Sequence, residues 1–198
     1  MIALYDFTLS GNCYKVRLML ALLGLKYKVI PVNLQAGEHK STEFLKRHPF
    51  GKVPVLVDGD TVIWDSQAIL VYLARKYGED WLPSHPELMG KIMQWLSVAA
   101  QSIAESLAAA RRHFLLNAQE DIDAAQKKAY ELLGVFENHL GDRHWLECDH
   151  PTIADIACFP YIALAAEGKI SLDAYPSVIA WVERVKQYPG YVGMPGLS

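Results

Sequence analysis

The sequence predicts an α/β domain followed by an all-helical domain. Through residues 1–77, apolar and β-branched runs give the order strand, helix, strand, helix, strand, strand, helix. Residues 78–87 contain two prolines and a glycine, which indicates a linker. Residue 88 begins a stretch rich in Ala, Leu, Ile and Met at helical spacing. We therefore expect two domains, residues 1–77 and 88–198, with the linker between them.

The first domain begins with a parallel βαβ unit. Residues 2–7 form a strand pattern, residues 8–12 a polar turn, and the apolar face of the next helix ends at Gly24. Residues 27–34 supply the second strand. The crossover should be right-handed. The turn at residues 8–12 then lies at the carboxyl end of a strand, where α/β sheets usually bind ligands.

The rest of this domain is a short helix, a hairpin and a longer helix. Ser41 can begin a helix through residue 46. Residues 54–57 and 61–64 are strands, and the Asp-Gly-Asp sequence between them is typical of a tight turn. Residues 65–77 form a helix pattern that begins with good capping residues.

The stretch around this hairpin has the parts of a clamp for a small peptide. Val53 precedes a proline at the start of a strand, so its N–H and C=O are available to an extended ligand. The helix N-terminus nearby suits a carboxylate. Asp65 can hold an ammonium group. A ligand with a peptide bond and a free amino-acid end fits both sites.

The second half is predicted to be helical throughout. Residues 88–117 read as one long helix, and Asp121 begins another that reaches residue 140. Residues 152–155 resemble a capping box that opens a very apolar helix through residue 166. A last helix runs from residue 176 to 187.

Composition excludes several classes of protein. Hydrophobic types make up 52% of the 198 residues, enough for substantial cores, and the net charge of -3 gives no footprint for nucleic acid. Three scattered cysteines indicate neither a disulfide framework nor a metal site, so we expect a reducing, cytoplasmic setting. The longest apolar run, residues 18–25, is too short to span a membrane.

Four runs together resemble a cytosolic glutathione transferase of the bacterial type. They are residues 10–17 (SGNCYKVR), 50–56 (FGKVPVL), 65–73 (DSQAILVYL) and the capping box at 152–155. The resemblance extends over nearly the whole chain. It implies a thioredoxin-like first domain of order βαβαββα and the family's helical domain after it. It also implies a homodimer.

The resemblance implies glutathione as co-substrate, with no metal. Val53 would pair with the cysteinyl backbone, and Pro54 would be cis. Asp65 stands where the family usually has Glu. The residues expected to bind the γ-glutamyl end are Asp65, Ser66 and Gln67. The candidates for the glycyl carboxylate are His39, Lys40 and Lys52.

Three residues of the first turn are candidates for activating the glutathione thiol. Ser10 matches the family's catalytic serine and can donate a hydrogen bond to the thiolate, although it can also simply cap the helix. Asn12 resembles part of a Thr-x-Asn turn found in glutathione-dependent disulfide reductases, or is a turn residue. Cys13 either forms a mixed disulfide with glutathione or is a packed helix residue.

The second substrate is expected to be a small hydrophobic electrophile bound between the domains. The candidate pocket residues are Leu9, Gly11, Ser102, Glu105 and Arg112. Two further functions stay open: a glutathione-dependent disulfide reductase or peroxidase, and a non-catalytic scaffold of the same fold.

Overall fold

The structure, a computed structural model, describes residues 1–197. It has the predicted fold class, a mixed sheet with helices followed by a helical domain. The first half contains β1 (Ile2–Asp6), α1 (Gly11–Leu22), β2 (Tyr27–Pro31), α2 (Thr42–Leu45), β3 (Val55–Asp58), β4 (Thr61–Trp64) and α3 (Ser66–Tyr77). The second half contains α4 (Pro86–Ala100), α5 (Ser102–Glu105), α6 (Leu107–Leu116), α7 (Ile122–Leu140), α8 (Ile153–Ala163) and α9 (Pro176–Lys186).

The first half is built on a four-stranded sheet of order β2-β1-β3-β4. β1 and β2 are parallel, and the other two pairs are antiparallel. Leu4 of β1 lies opposite Val29 on one side and Leu56 on the other. This arrangement is the thioredoxin-like order that the sequence predicts. It places the β1–α1 turn beside the start of β3.

Alternation along the strands buries both faces of the sheet. Leu4 and Leu56 are fully buried and belong to the large core that continues into the helical half. Tyr5 and Val55 point to the opposite face, where they pack with Phe44 of α2 in a smaller cluster.

Capping side chains begin the helices where the sequence predicts them. Ser10 Oγ accepts a hydrogen bond from the N–H of Cys13 at 3.2 Å. Asp121 does the same for α7, with Oδ1 3.1 Å from the nitrogen of Ala124. Thr152 and Asp155 form the predicted reciprocal capping box of α8.

The predicted single helix over residues 88–117 is wrong, because the structure has α4, α5 and α6 there. The chain leaves helical geometry at Gln101 (φ -114°, ψ -71°) and at Ser106 (φ -120°, ψ -95°). The buried Ser106 hydroxyl donates to the carbonyl oxygen of Ser102, one turn earlier. Back-bonding of this kind bends helices, and no proline or glycine marks it in the sequence.

Other element boundaries move by a few residues. β2 ends at Pro31 rather than residue 34, since the Asn33 side chain accepts the N–H of Ala36 at 3.0 Å and turns the chain. α4 begins at Pro86, inside the predicted linker, with proline in the first helical turn. α8 ends at Ala163 and tightens into a 3-10 turn at Ala165–Gly168.

The two halves share one core. α1 and α3 pack against each other, and both contact α8. Tyr14 of α1 is fully buried, and its hydroxyl donates to the carbonyl of Val192 at 2.8 Å near the end of the chain. The helical half therefore fixes the orientation of α1 and of the turn that begins it.

Candidate functional site

A cleft of about 770 Å³ lies between the sheet domain and the helices. Its walls are made by the loop before β3, the start of α3 and the first turn of α1 on one side, and by α4 to α8 on the other. Its lining residues are Asn12, His48, Lys52, Val53, Pro54, Asp65, Ser66, Gln67, Ala99, Ala100, Ala104, Glu105, Ala108, Ala109, Arg112, Glu120, Asp121, Ala124, Ala125, Lys128 and Tyr161. A volume of this size suits a tripeptide with a small second ligand.

The Val53–Pro54 peptide bond is cis, as the sequence resemblance implies. Both residues line the cleft. β3 begins only at Val55. In the described chain, Val53 takes part in no turn or loop hydrogen bond between backbone groups. Its peptide groups are therefore available to an extended ligand in the cleft.

The start of α3 is the most polar part of the sheet-side wall. Asp65 is its N-cap, and Oδ1 accepts the N–H groups of Gln67 (2.9 Å) and Ala68 (3.2 Å). The Gln67 N–H, predicted to assist the ligand, thus already has a partner. Ser66 is 4% exposed and lines the cleft. Its N–H, at the helix start, has no carbonyl partner within the helix.

Asp65 adopts a backbone conformation, with φ 74°, that residues other than glycine rarely take. Such outliers cost about 1–3 kcal/mol and cluster at functional sites. Here the conformation brings the Asp65 carboxylate over the helix N-terminus and into the cleft wall. With Oδ1 occupied by two N–H donors, Oδ2 is the atom free to accept a bond from an ammonium group.

The first turn of α1 contains the three candidates for thiol activation. Only Asn12 lines the cleft directly. Ser10 accepts the capping hydrogen bond of Cys13, and a hydroxyl that accepts still has its own proton to donate. Capping and donation to a thiolate are thus compatible at Ser10.

Cys13 is fully buried, and Sγ accepts the N–H of Phe7 at 3.5 Å. Burial raises the pKa of the Cys13 thiol to about 12, and the neighbouring Ser10 side chain only partly opposes this. A thiol with such a pKa stays protonated at neutral pH, and only the thiolate is a nucleophile. This placement suits a packed residue.

The three candidates for the glycyl carboxylate lie in different environments. Lys52 lines the cleft, whereas His39 and Lys40 do not. The Lys40 ammonium donates to the carbonyls of Phe50 and Gly51, both at 3.1 Å. Gly51 has φ 57°, and a Cβ there would lie 2.5 Å from the carbonyl oxygen of His39. Lys40 therefore ties down the loop before β3, and Gly51 packs closely against the backbone of His39.

The candidates for the electrophile pocket also differ in whether they line the cleft. Glu105 and Arg112 line the cleft, but Leu9, Gly11 and Ser102 do not. The Leu9 carbonyl accepts a bond from buried Arg111 at 2.7 Å, which ties the first turn to α6. Gly11 lies directly beneath the ring of Tyr161.

Several lining residues escaped the sequence analysis. Alanines 100, 104 and 108 recur at helical spacing and form a smooth wall, a signal that could have been found. Charged residues surround this wall: Arg112 pairs with Glu120 at 2.7 Å, and Lys128 with Glu105 at 3.1 Å. The wall therefore combines an apolar strip with a polar edge.

His48 and Tyr161 were also missed. His48 is not among the candidates named from the sequence, but it lines the cleft, and its ring centroid lies 5.0 Å from that of Trp64. Burial lowers the pKa of His48, and the nearby Lys52 adds to this. Tyr161 lies within the most apolar helix, where no pattern distinguishes it from the core.

Within residues 1–197, no group of three or more His, Cys, Asp or Glu side chains is arranged to hold a metal ion. Over the same range, every helix is too short or too polar to cross a membrane.

Comparison with known proteins gives consistent matches. The family model for the glutathione S-transferase N-terminal domain matches residues 1–75, and that for the C-terminal domain matches residues 88–189. Glutathione S-transferase 3 of Zea mays is 34% identical over 201 residues, which cover 95% of this chain and 90% of that protein.

Solved structures agree with this. A glutathione S-transferase from Pseudomonas fluorescens Pf-5 matches with a TM-score of 0.93 and 37% identity, covering 98% of each chain. The structure of glutathione S-transferase-I bound with lactoylglutathione matches with a TM-score of 0.84 and 31% identity, covering 96% of this chain and 95% of that one. The chain therefore belongs to the glutathione S-transferase family.

Proposed function

We propose that the protein binds glutathione in the cleft and activates its thiol for attack on a small electrophile. The observation that carries this is the meeting of three features in one cleft: the Val53–Pro54 turn, the N-terminus of α3 and the first turn of α1. An extended tripeptide along this wall would pair with Val53 and place its α-amino and α-carboxylate groups at Asp65 and Ser66.

Activation of the thiol is assigned to Ser10 and Asn12. A free thiol has a pKa near 8.5, and one charge-assisted hydrogen bond of about 1.5–3 kcal/mol lowers it by one to two units. The Ser10 hydroxyl and the Asn12 side chain can supply such a bond at the start of α1. The burial of Cys13 disfavours a mixed-disulfide route through that residue. The resemblance of residues 10–17 to bacterial-type members supports the proposal that the protein is of that type.

The second substrate is proposed to lie against the alanine wall of α4 to α6. Alanines 100, 104 and 108 suit a small apolar body, and Arg112 and Lys128 at the edge suit a polar substituent. For an aryl halide, the thiolate would form a carbon–sulfur bond and the halide would leave with the bond's electron pair.

The protein is further proposed to act as a homodimer in the cytoplasm. Phe50 and Trp64 are 62% and 39% exposed, and their rings contact edge to face with centroids 5.6 Å apart. An exposed aromatic pair beside the edge strand β4 favours burial against a partner. Cys13, Cys148 and Cys158 are free thiols, as a reducing compartment would keep them. Light scattering at micromolar concentration tests the dimer.

Turnover of 1-chloro-2,4-dinitrobenzene with glutathione tests the reaction. Wild-type protein should form the conjugate, and Ser10→Ala should lose about ten- to a hundredfold in kcat, since one charge-assisted bond is removed. Full activity in that variant would remove Ser10 from the mechanism. A mixed disulfide and an organic hydroperoxide are assayed in parallel.

The remaining outcomes separate the alternative functions. Turnover of only the disulfide or the hydroperoxide would identify a reductase or peroxidase. Binding of glutathione without turnover of any substrate would indicate a non-catalytic member of the fold. A melting temperature that glutathione does not raise would contradict the proposed ligand itself.

A further inference from the structure

Lys15 is a fully buried lysine whose amine has no hydrogen-bond partner among residues 1–197. It lies on α1, in the second helical turn. Its Nζ is 5.5 Å from the centre of the Tyr161 ring. The ionisable groups that act on it are Cys158, on α8, and Asp65, at the start of α3. The amine therefore lies where α1, α3 and α8 meet.

An unpaired ammonium in a protein core is unfavourable, because burial removes its hydration and nothing replaces it. Burial lowers the pKa of Lys15 to about 8, although Cys158 and Asp65 partly oppose this. The amine is thus still largely protonated at neutral pH. A methionine or leucine would fill the same space without this penalty. A buried amine with a shifted pKa beside a cleft is a candidate for a functional group.

The position of Lys15 relates it to the candidate thiol site. Gly11 and Lys15 are four residues apart on α1, so they share one face of the helix. The ring of Tyr161 covers that face: a Cβ on Gly11 would lie 2.7 Å from Tyr161 Cζ. Tyr161 and Asp65 line the cleft, so the Lys15 amine lies directly behind the cleft wall. One helical turn, about 5.4 Å, separates Lys15 from the start of α1.

We propose that Lys15 is a buried counter-cation that stabilises a thiolate bound at the Ser10–Asn12 turn. This inference rests on the proposed function. The Lys15 charge acts through space across the Tyr161 ring, and Lys15 does not touch the ligand. It is therefore a positioning residue, which stabilises the thiolate electrostatically. No bond to Lys15 forms or breaks. The thiol proton leaves to solvent, and Lys15 keeps its own.

The surroundings of Lys15 make such an effect large enough to measure. Charges interact more strongly in a protein interior than in water, since the effective dielectric constant is lower. The Lys15 side chain is fully buried, and its amine lies 5.5 Å from the centre of the Tyr161 ring, which lines the cleft. We expect Lys15 to lower the pKa of bound glutathione by about one unit, which is a tenfold change in thiolate population.

The test removes the charge of Lys15 and measures the ionisation of the glutathione thiol. Lys15→Met keeps the length and removes the charge, Lys15→Gln is a second neutral variant, and Lys15→Arg restores the charge. Lys26→Met, at an exposed lysine in the turn before β2, controls for net charge. The thiol pKa of bound glutathione is measured by the ultraviolet absorbance of the thiolate against pH. Calorimetry gives the dissociation constants of glutathione and S-methylglutathione, which has no ionisable sulfur.

The expected result is specific to the ionisable ligand. In Lys15→Met and Lys15→Gln, the thiol pKa should rise by about one unit, and glutathione should bind about tenfold more weakly above that pKa. S-methylglutathione should bind with little change, Lys15→Arg should recover the wild-type pKa, and Lys26→Met should match wild type. The melting temperature of Lys15→Met should stay the same or rise, because an unsatisfied amine is removed.

Two results would overturn the inference. An unchanged thiol pKa in either neutral variant would show that Lys15 does not act on the sulfur. Equal weakening of glutathione and S-methylglutathione would assign Lys15 to another part of the ligand. A wild-type protein that binds neither ligand would contradict the proposed function instead, so the two failures are distinguishable.

Discussion

Replacement of Asp155 should destabilise the protein far more than loss of an ordinary helix cap. Its carboxylate is fully buried and accepts four hydrogen bonds. They come from the N–H of Leu146 (3.0 Å), the N–H and hydroxyl of Thr152 (2.9 and 3.3 Å), and the indole of Trp181 (2.9 Å). Asp155 therefore connects the loop before α8, the start of α8 and α9.

The magnitude follows from the donors that the substitution leaves behind. In Asp155→Ala, the N–H groups of Leu146, Thr152 and Trp181 stay buried without an acceptor, at about 1–3 kcal/mol each. Partial relaxation lowers the sum, so we expect about 4–6 kcal/mol. Domains have about 5–15 kcal/mol in total, so much of the protein's stability depends on this residue.

Urea unfolding at a fixed protein concentration measures the change. Asp121→Ala is the matched control, because Asp121 is also an aspartate N-cap but is exposed and accepts one N–H, from Ala124. It should lose about 1 kcal/mol. Asp155→Asn keeps one acceptor oxygen and should fall between the two. A loss in Asp155→Ala no larger than that in Asp121→Ala would refute the reasoning from buried donors.

Three further predictions concern stability and the turn that begins α1. Hydrogen bonds from Lys76 and two tyrosines lower the pKa of Asp58 to about 2. The ionised carboxylate of Asp58 therefore contributes about 2 kcal/mol to the free energy of unfolding above pH ~4, and this contribution is lost as the pH falls from ~4 to ~2. The difference in unfolding free energy between wild type and Asp58→Asn should shrink over that range. Gly11→Ala should lower the melting temperature and weaken glutathione binding, because the Cβ of the new alanine would lie 2.7 Å from the Tyr161 ring. Glutathione binding as tight as that of wild type would show that the ring can move freely. Cys13→Ala should keep most of the kcat for aryl-halide conjugation while losing about 1–3 kcal/mol of stability, and a kcat near zero in the folded variant would return Cys13 to the mechanism.

Local chemistry explains why the helix starts could be predicted from the sequence. A cap needs only a side chain and the N–H groups two or three residues later. Ser10, Asp65, Asp121 and Thr152 each meet this condition within one short stretch, and the structure confirms each. The breaks at Gln101 and Ser106 could not be predicted in this way. They occur in a run of good helix formers, and the serine back-bond that accompanies one of them is optional for any serine.

The candidate site likewise has one wall that a local sequence motif predicts and one wall that it does not. Val53, Pro54, Asp65 and Ser66 fall within fourteen residues of a single hairpin and helix start, so one motif places all of them. The opposite wall comes from residues 99–128 and Tyr161, which only tertiary packing brings to the cleft. The sequence pattern of residues 99–128 indicates helices, but it does not indicate which helix face lies against the other domain. His39 and Lys40 are not among the residues that line the cleft, and the Lys40 ammonium contacts the loop before β3. Their role at the glycyl carboxylate stays a prediction.

Lys15 shows how a buried helix conceals a functional charge. Residues 13–16 of α1 are all fully buried, and α1 packs against both α3 and α8. A helix enclosed in this way has no polar face to which a lysine could be assigned. The lysine then lies in the core or bends toward the nearest polar cleft, and a sequence pattern cannot choose between these. In the structure the amine stays behind Tyr161, where its charge can reach the cleft but water cannot reach the amine. A buried charged residue one helical turn from a candidate catalytic turn is therefore better interpreted as part of the site than as an exposed surface residue.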